Sequence, residues 1–168
     1  VEIFTAEDAE CAEKPWRWLV GTKENLEKPR DPYMEKPNPI NFGNDLNQLS
    51  RMIIGAAIIV HSELGPGLLE SAYEECLAYE LIQKNIPFER QKPIPVVYKG
   101  NQIDCGFRLD LLVANSVILE LKAIDQILPI HQAQLLTYLK LTHCKLGLLI
   151  NFNVQKMVNG IKRMVNNI

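Results

Sequence analysis

Three charged side chains stand in stretches of chain that otherwise read as buried strands. Asp110 lies within Phe107-Arg108-Leu109-Asp110-Leu111-Leu112-Val113, and Glu120 and Lys122 lie within Val117-Ile118-Leu119-Glu120-Leu121-Lys122-Ala123. Each uncompensated ion in such a setting costs on the order of several kcal/mol, so the pattern calls for a bound ion, a partner or a network. Side chains two apart on a strand share a face, which puts Glu120 and Lys122 together and sends Leu119, Leu121 and Ala123 to the other side. Asp110 joins them from the neighbouring strand if an odd-length connection sets the register, and Ala114-Asn115-Ser116 supplies three residues. Two carboxylates and one ammonium suit metal-assisted phosphodiester hydrolysis. Carboxylate oxygens hold Mg²⁺ or Mn²⁺, the ion activates water and neutralises phosphate charge, and the lysine orients the water or stabilises developing charge. A buried ion network that only sets strand register fits the same spacing equally well.

The elements that must carry these residues follow from local pattern. Asn44 or Asp45 is placed to cap a helix whose Leu46, Leu49, Ile53, Ala56, Ala57 and Val60 share one face, ended by Gly65-Pro66-Gly67. A second helix is predicted over about Leu68 to Lys84, with Leu69, Tyr73, Cys76, Leu77 and Leu81 buried and Asn85 and Pro87 stopping it. Short extended segments follow at Phe88–Gln91 and Ile94–Tyr98, where Pro93 and Pro95 point to an edge. After the two charged strands come a helix from about Pro129 to Thr142, an apolar run at Leu146–Phe152 expected as a central strand, and a short amphipathic helix over about Gln155–Val165.

With 168 residues, 47% of them hydrophobic, the chain supports one well-formed core. Residues 1–44, with Pro15, Pro29, Pro32, Pro37 and Pro39 in a Lys/Glu-rich setting, read as a poorly ordered extension, and 45–168 as the domain. Net charge is -2 overall, while residues 46–168 carry 12 Lys and Arg against 10 Asp and Glu, which only permits a polyanionic partner. Cys11, Cys76, Cys105 and Cys144 show no Cys-x-x-Cys spacing, which argues against a zinc ribbon and for a reducing compartment. The longest apolar run, Met52–Val60, is far short of a membrane span, so a soluble cytoplasmic protein is expected.

Asp110 with Glu120-Leu121-Lys122 resembles the bipartite motif of the PD-(D/E)XK nuclease superfamily. Gly67-Leu68-Leu69-Glu70-Ser71-Ala72-Tyr73 fits a GxxExxY signature, and Gln134-Leu135-Leu136-Thr137-Tyr138 fits the QxxxY element of RecB-like members. The resemblance, to GxxExxY proteins of that superfamily, covers about residues 46–168. It implies an α/β fold, a restriction-endonuclease-like core with a mixed β-sheet flanked by helices. It implies Mg²⁺ or Mn²⁺ held by Asp110, Glu120 and Glu70, catalysis by Lys122 with Gln134 near the scissile phosphate or attacking water, and a nucleic-acid substrate with DNA favoured over RNA.

Glu70 at a helix N-terminus favours the positive end of the dipole, and Tyr73 three residues on suits the core, its hydroxyl bonded to a polar group. Gln134 and Tyr138 share a helix face with His131 one turn earlier, which reads either as a metal or phosphate contact or as a capped or solvated residue. Arg108 lies two from Asp110 and is expected on the same face as a phosphate clamp or ion-pair partner, whereas Arg90 and Lys92 read as surface charges. Ile59 on the first helix is compatible with a homodimer. A non-catalytic nucleic-acid- or protein-binding module of the same fold is the alternative to a nuclease.

Overall fold

In a computed structural model of the chain, residues 45–103 and 106–166 are described; the expectations for residues 1–44, and those for Cys11 and Cys105, lie outside them. Asp45 opens the first helix, α1 (Leu46–Leu64), by accepting from the amides of Asn47 at 3.0 Å and Gln48 at 2.9 Å. Its predicted apolar face is the buried one: Leu49, Ile53, Ala56, Ala57 and Val60 are almost wholly inaccessible. Gly65, at φ 67°, ends the helix in a backbone conformation that glycine adopts without cost. The second helix, α2 (Glu70–Gln83), starts two residues later than expected, with Leu69 as its N-cap, so Glu70 occupies the first turn.

A five-stranded sheet comprises β1 (Phe88–Pro93), β4 (Arg108–Val113), β5 (Val117–Lys122), β6 (Leu146–Asn151) and β7 (Ile161–Val165), in the order β1-β4-β5-β6-β7. All neighbours are antiparallel except β5 and β6, which run parallel and are joined through α3 (Pro129–Thr142). β2 (Val96–Tyr98) and β3 (Asn101–Ile103) form a separate hairpin between β1 and β4. The strand expected over Ile94–Tyr98 is thus shortened to Val96–Tyr98 and lies outside the main sheet, and Pro93 closes the edge strand β1, where a missing amide is tolerated. The α/β fold with a mixed sheet flanked by helices is as the resemblance implied.

Two apolar clusters sandwich the sheet. On one face α1 and α2 pack on Leu111, Val113, Val117, Leu119, Leu121, Leu148 and Ile150; on the other α3 packs through Leu135, Tyr138 and Leu139 on Leu109, Leu112, Ile118 and Leu149. β6 is buried along its whole length, as expected of a central strand. Gly147 lets α3 approach it, because a Cβ there would stand 2.8 Å from Leu135 Cδ1 and 3.0 Å from its Cγ. Gly147→Ala is therefore expected to lower stability by about 1–3 kcal/mol through overpacking, read as a lower urea midpoint at unchanged m-value.

The last element departs from expectation. Instead of a helix over Gln155–Val165, a 3₁₀ turn at Met157–Gly160 leads into β7. A buried central strand needs backbone partners on both edges, and β7 supplies them to β6 from Leu146↔Val165 to Ile150↔Ile161. That demand outweighs the local helical pattern. No helix among the described residues is long and apolar enough to cross a membrane.

Candidate active site

The connection of Ala114, Asn115 and Ser116 turns tightly, with Ala114 at φ 48° and Asn115 at φ 51°, and sets the register Val113↔Val117, Leu112↔Ile118 and Leu111↔Leu119. Continued by one step, this register brings Asp110 opposite Glu120, as the parity argument required. The paired ladder stops there, and the Leu121 amide donates to Asp110 Oδ2 at 2.7 Å. On its other side, β4 pairs with β1 at every step except Gln91 with Asp110, and Gln91 sits at φ 48°. Leu109 belongs to the α3-side cluster and Leu111 to the opposite one, so the alternation of β4 breaks at Asp110. Arg108 therefore does not share the face of Asp110 by simple alternation, which corrects that expectation; it is exposed and makes no ion pair among the described residues.

Glu120 is 2% exposed. Its Oε1 accepts from Lys122 Nζ at 2.7 Å, and Lys122 also donates to the Leu121 carbonyl at 2.8 Å. Glu70, at the start of α2, brings its Oε2 to 4.0 Å from the same ammonium. Glu120 Oε2 is buried with no hydrogen-bond partner. An orphaned carboxylate oxygen of this kind carries a desolvation penalty of about 1–3 kcal/mol or more, which a cation would relieve.

Three carboxylates surround one ammonium, and their proton affinities respond accordingly. Burial, followed by the repulsion of Asp110, pushes the Glu120 carboxyl up to about 7. Asp110 is raised chiefly by burial against the Leu121 hydrogen bond, and Glu70 chiefly by burial against the attraction of Lys122. Burial draws Lys122 down, but the bond to Glu120 and the charges of Glu120, Glu70 and Asp110 more than offset it, and its proton is held more tightly than usual. The upward shift of Glu120 speaks against its charged form while that of Lys122 speaks for the ion pair. The excess of negative charge reconciles them: a shared cation is held, and the last carboxylate takes up a proton when no further cation is present.

Among the described residues, no three His, Cys, Asp or Glu side chains are arranged to hold a metal ion by themselves. A Mg²⁺-type ion needs only one or two carboxylates, completing its shell with waters and substrate phosphates. Glu120 keeps one buried oxygen without a partner, Asp110 Oδ2 is engaged by the Leu121 amide, and Glu70 stands 4.0 Å from the ammonium of Lys122.

Several other expected site residues have different duties. Tyr73 is fully buried and stacked on Phe152 at 4.4 Å. Its hydroxyl donates to the Gly65 carbonyl at 2.6 Å and accepts from the Leu68 amide at 3.2 Å, so it holds the loop before Glu70 rather than contacting substrate. Tyr138 is 4% exposed and accepts from Gln134 Nε2 at 2.8 Å, which removes it from direct substrate contact and orients Gln134. His131 Nδ1 accepts from the Leu128 amide at 3.1 Å, so its side chain caps the start of α3. Arg90 is a part-exposed charge that is also paired: it donates to Glu74 and forms a two-pronged bond with Glu75, while Gln91 Nε2 holds the second Glu74 oxygen at 2.9 Å. This cluster ties α2 to β1 beside the kink at Asp110.

Asn151 was missed, although it is the one amide side chain within the apolar run Leu146–Phe152. It is 2% exposed, paired in register with Lys122. Its Oδ1 accepts from the amides of Ile124 and Asn153, and its Nδ2 donates to the Ile124 carbonyl at 2.7 Å. It thereby fixes the chain as it leaves β5, two residues beyond Lys122. Asn151→Ala strips the partners from two partly buried backbone groups of Ile124 and is expected to cost about 1–3 kcal/mol in chemical denaturation.

A five-stranded mixed sheet, helices on both faces, and an Asp plus Glu-x-Lys gathered where two strands part define a nuclease-type α/β domain. The family model of the PD-(D/E)XK nuclease superfamily matches residues 47–164, and the chain belongs to that superfamily. Comparison with curated proteins and with solved structures finds no match.

Proposed function

We propose that this protein hydrolyses phosphodiester bonds of nucleic acid in a divalent-metal-dependent reaction. The unpartnered Glu120 Oε2 beside Asp110 carries this reading: a buried anionic oxygen with no partner, in a cluster with surplus negative charge, is suited to a hard cation. Nucleases of this superfamily generally use divalent metal ions, and here Asp110 and Glu120 would hold one. When bound, the ion supplies a nucleophilic water at neutral pH and neutralises charge on the phosphate.

The chain's own groups supply the rest. Lys122, anchored by Glu120 and the Leu121 carbonyl, keeps an ammonium beside the reacting phosphate, where it stabilises charge developing on the phosphoryl oxygens. Glu70 orients that ammonium from the opposite side. Gln134 spends its amide donor on Tyr138, which leaves its carbonyl oxygen to accept from an attacking water. In this reading Arg108, exposed and without an ion pair among the described residues, and His131, at the start of α3, would serve as outer phosphate contacts. The GxxExxY signature around Glu70 and Tyr73 supports reading the chain as one of the GxxExxY proteins, with DNA favoured over RNA as substrate.

The test combines binding with catalysis. Mn²⁺ is expected to raise the melting temperature of the wild type and not of Asp110→Ala, and single-stranded, double-stranded and branched DNA and RNA are then incubated with Mn²⁺. Wild-type cleavage no greater than that of Lys122→Ala would remove the hydrolase reading and leave a binding module.

A further inference from the structure

The hairpin of β2 and β3 contributes little to either core. Its two-residue turn, Lys99 at φ 50° and Gly100 at φ 81°, closes a ribbon of three paired positions. So short a ribbon has marginal stability of its own. Yet Val97 is 64% exposed and Tyr98 59% exposed, and Lys99 Nζ lies 5.4 Å from the Tyr98 ring. The ribbon springs from the stem where the Ile94 amide bonds to the Phe107 carbonyl, between the end of β1 and the start of β4. Asp110 lies near that start of β4, and β5 runs antiparallel to β4, so its Lys122 end reaches the same edge of the sheet.

Phe107 stands at that edge as well. It is 46% exposed, but its ring is held edge-on against Tyr138 at 6.2 Å and 63°. From Phe107 to Asp110 is three residues of extended chain, or about 10 Å. Arg108, exposed and without an ion pair among the described residues, lies between them. Two rings with exposed surface, Tyr98 and Phe107, and two cations, Lys99 and Arg108, thus belong to the hairpin and strand start that lead into the Asp110 end of β4.

We propose that this rim is a stacking platform for an unpaired nucleic-acid strand, with Tyr98 and Phe107 receiving bases and Lys99 and Arg108 the adjoining phosphates. The inference rests on the phosphodiesterase reading and names its substrate as single-stranded or frayed rather than continuous duplex. Aromatic faces find π-faces only on bases that are not already stacked in a helix. Charge points the same way: duplex affinity comes largely from counterion release by many cations, and residues 46–168 carry only two more basic than acidic side chains. Stacking, which needs few cations, is the contribution this surface is equipped to make.

The test uses the full chain in EDTA, where nothing is cut, with fluorescence anisotropy of a labelled oligothymidylate and of a blunt duplex of equal length. The oligothymidylate is expected to bind more tightly. Tyr98→Ala should weaken it roughly 10-fold and Tyr98→Trp should not, since indole also stacks. Phe107→Leu, which keeps apolar contact with Tyr138 but removes the ring, should weaken it by a similar factor. Duplex bound as tightly as the single strand, or Tyr98→Ala indistinguishable from wild type, would overturn the proposal. Lys122-dependent cleavage with no effect of Tyr98→Ala sinks the platform alone; a Tyr98-dependent affinity with no cleavage sinks the hydrolase reading and leaves the platform standing.

Discussion

Replacing Lys122 with alanine is expected to lower metal-dependent cleavage by on the order of 10²–10³-fold, the range found when one preorganised donor to a developing oxyanion is removed. The ammonium is held at 2.7 Å from Glu120 Oε1 and 2.8 Å from the Leu121 carbonyl, with 14% of its side chain exposed, so water replaces it poorly. The loss should fall on kcat rather than KM, because a charge aimed at the reacting phosphate acts mainly in the transition state. Single-turnover cleavage at saturating Mn²⁺ measures it directly. Activity within a few-fold of wild type would mean that Lys122 only sets the register of β5. Lys122→Met separates the two roles further, since it preserves the buried stem and removes the charge.

The second large effect concerns Glu120 and pH. Its carboxyl is raised from 4.5 to about 7, so the folded state holds the proton more tightly than the unfolded chain does. Below 4.5 both states are protonated and the difference vanishes. As pH rises from 4.5 toward 7 the unfolded chain ionises first, and stability without metal falls by up to about 3 kcal/mol before levelling off above 7. Asp110 and Glu70 are raised as well and add to the same slope. Glu120→Gln cannot ionise and should lose the Glu120 share of it, making the metal-free variant more stable than wild type above pH 7. Divalent metal competes with the proton for the same oxygen, so Mn²⁺ should stabilise the wild type more strongly as pH rises through about 7, and should do little for Glu120→Gln. Urea unfolding of both proteins on each side of that pH, in EDTA and in Mn²⁺, gives the four values needed; identical slopes for the two proteins would refute the assignment.

The central strands, the three long helices and the shared face of Glu120 and Lys122 are readable along the chain because each rests on short-range periodicity. Alternation put Glu120 and Lys122 on one face, and the three-residue connection gave the even parity that sets Asp110 opposite Glu120. The failures all involve partners far apart in sequence. Residues 161–165 look amphipathic, but the open edge of β6 recruits them as a strand. Arg90 looks like a surface charge, but α2 presents Glu74 and Glu75 to it.

The same division runs through the site. Residue type and spacing along the chain were enough to specify the chemistry on offer, hard carboxylate oxygens beside a lysine, since these are properties of single side chains and of a two-residue repeat. Which oxygen lacks a partner, where β4 departs from its pleat, that Tyr73 and Tyr138 are sealed inside, and that Asn151 clamps the exit of β5 depend on packing between elements up to dozens of residues apart. Burial and long-range hydrogen bonds arise only when the helices close over the sheet, and no local pattern encodes them.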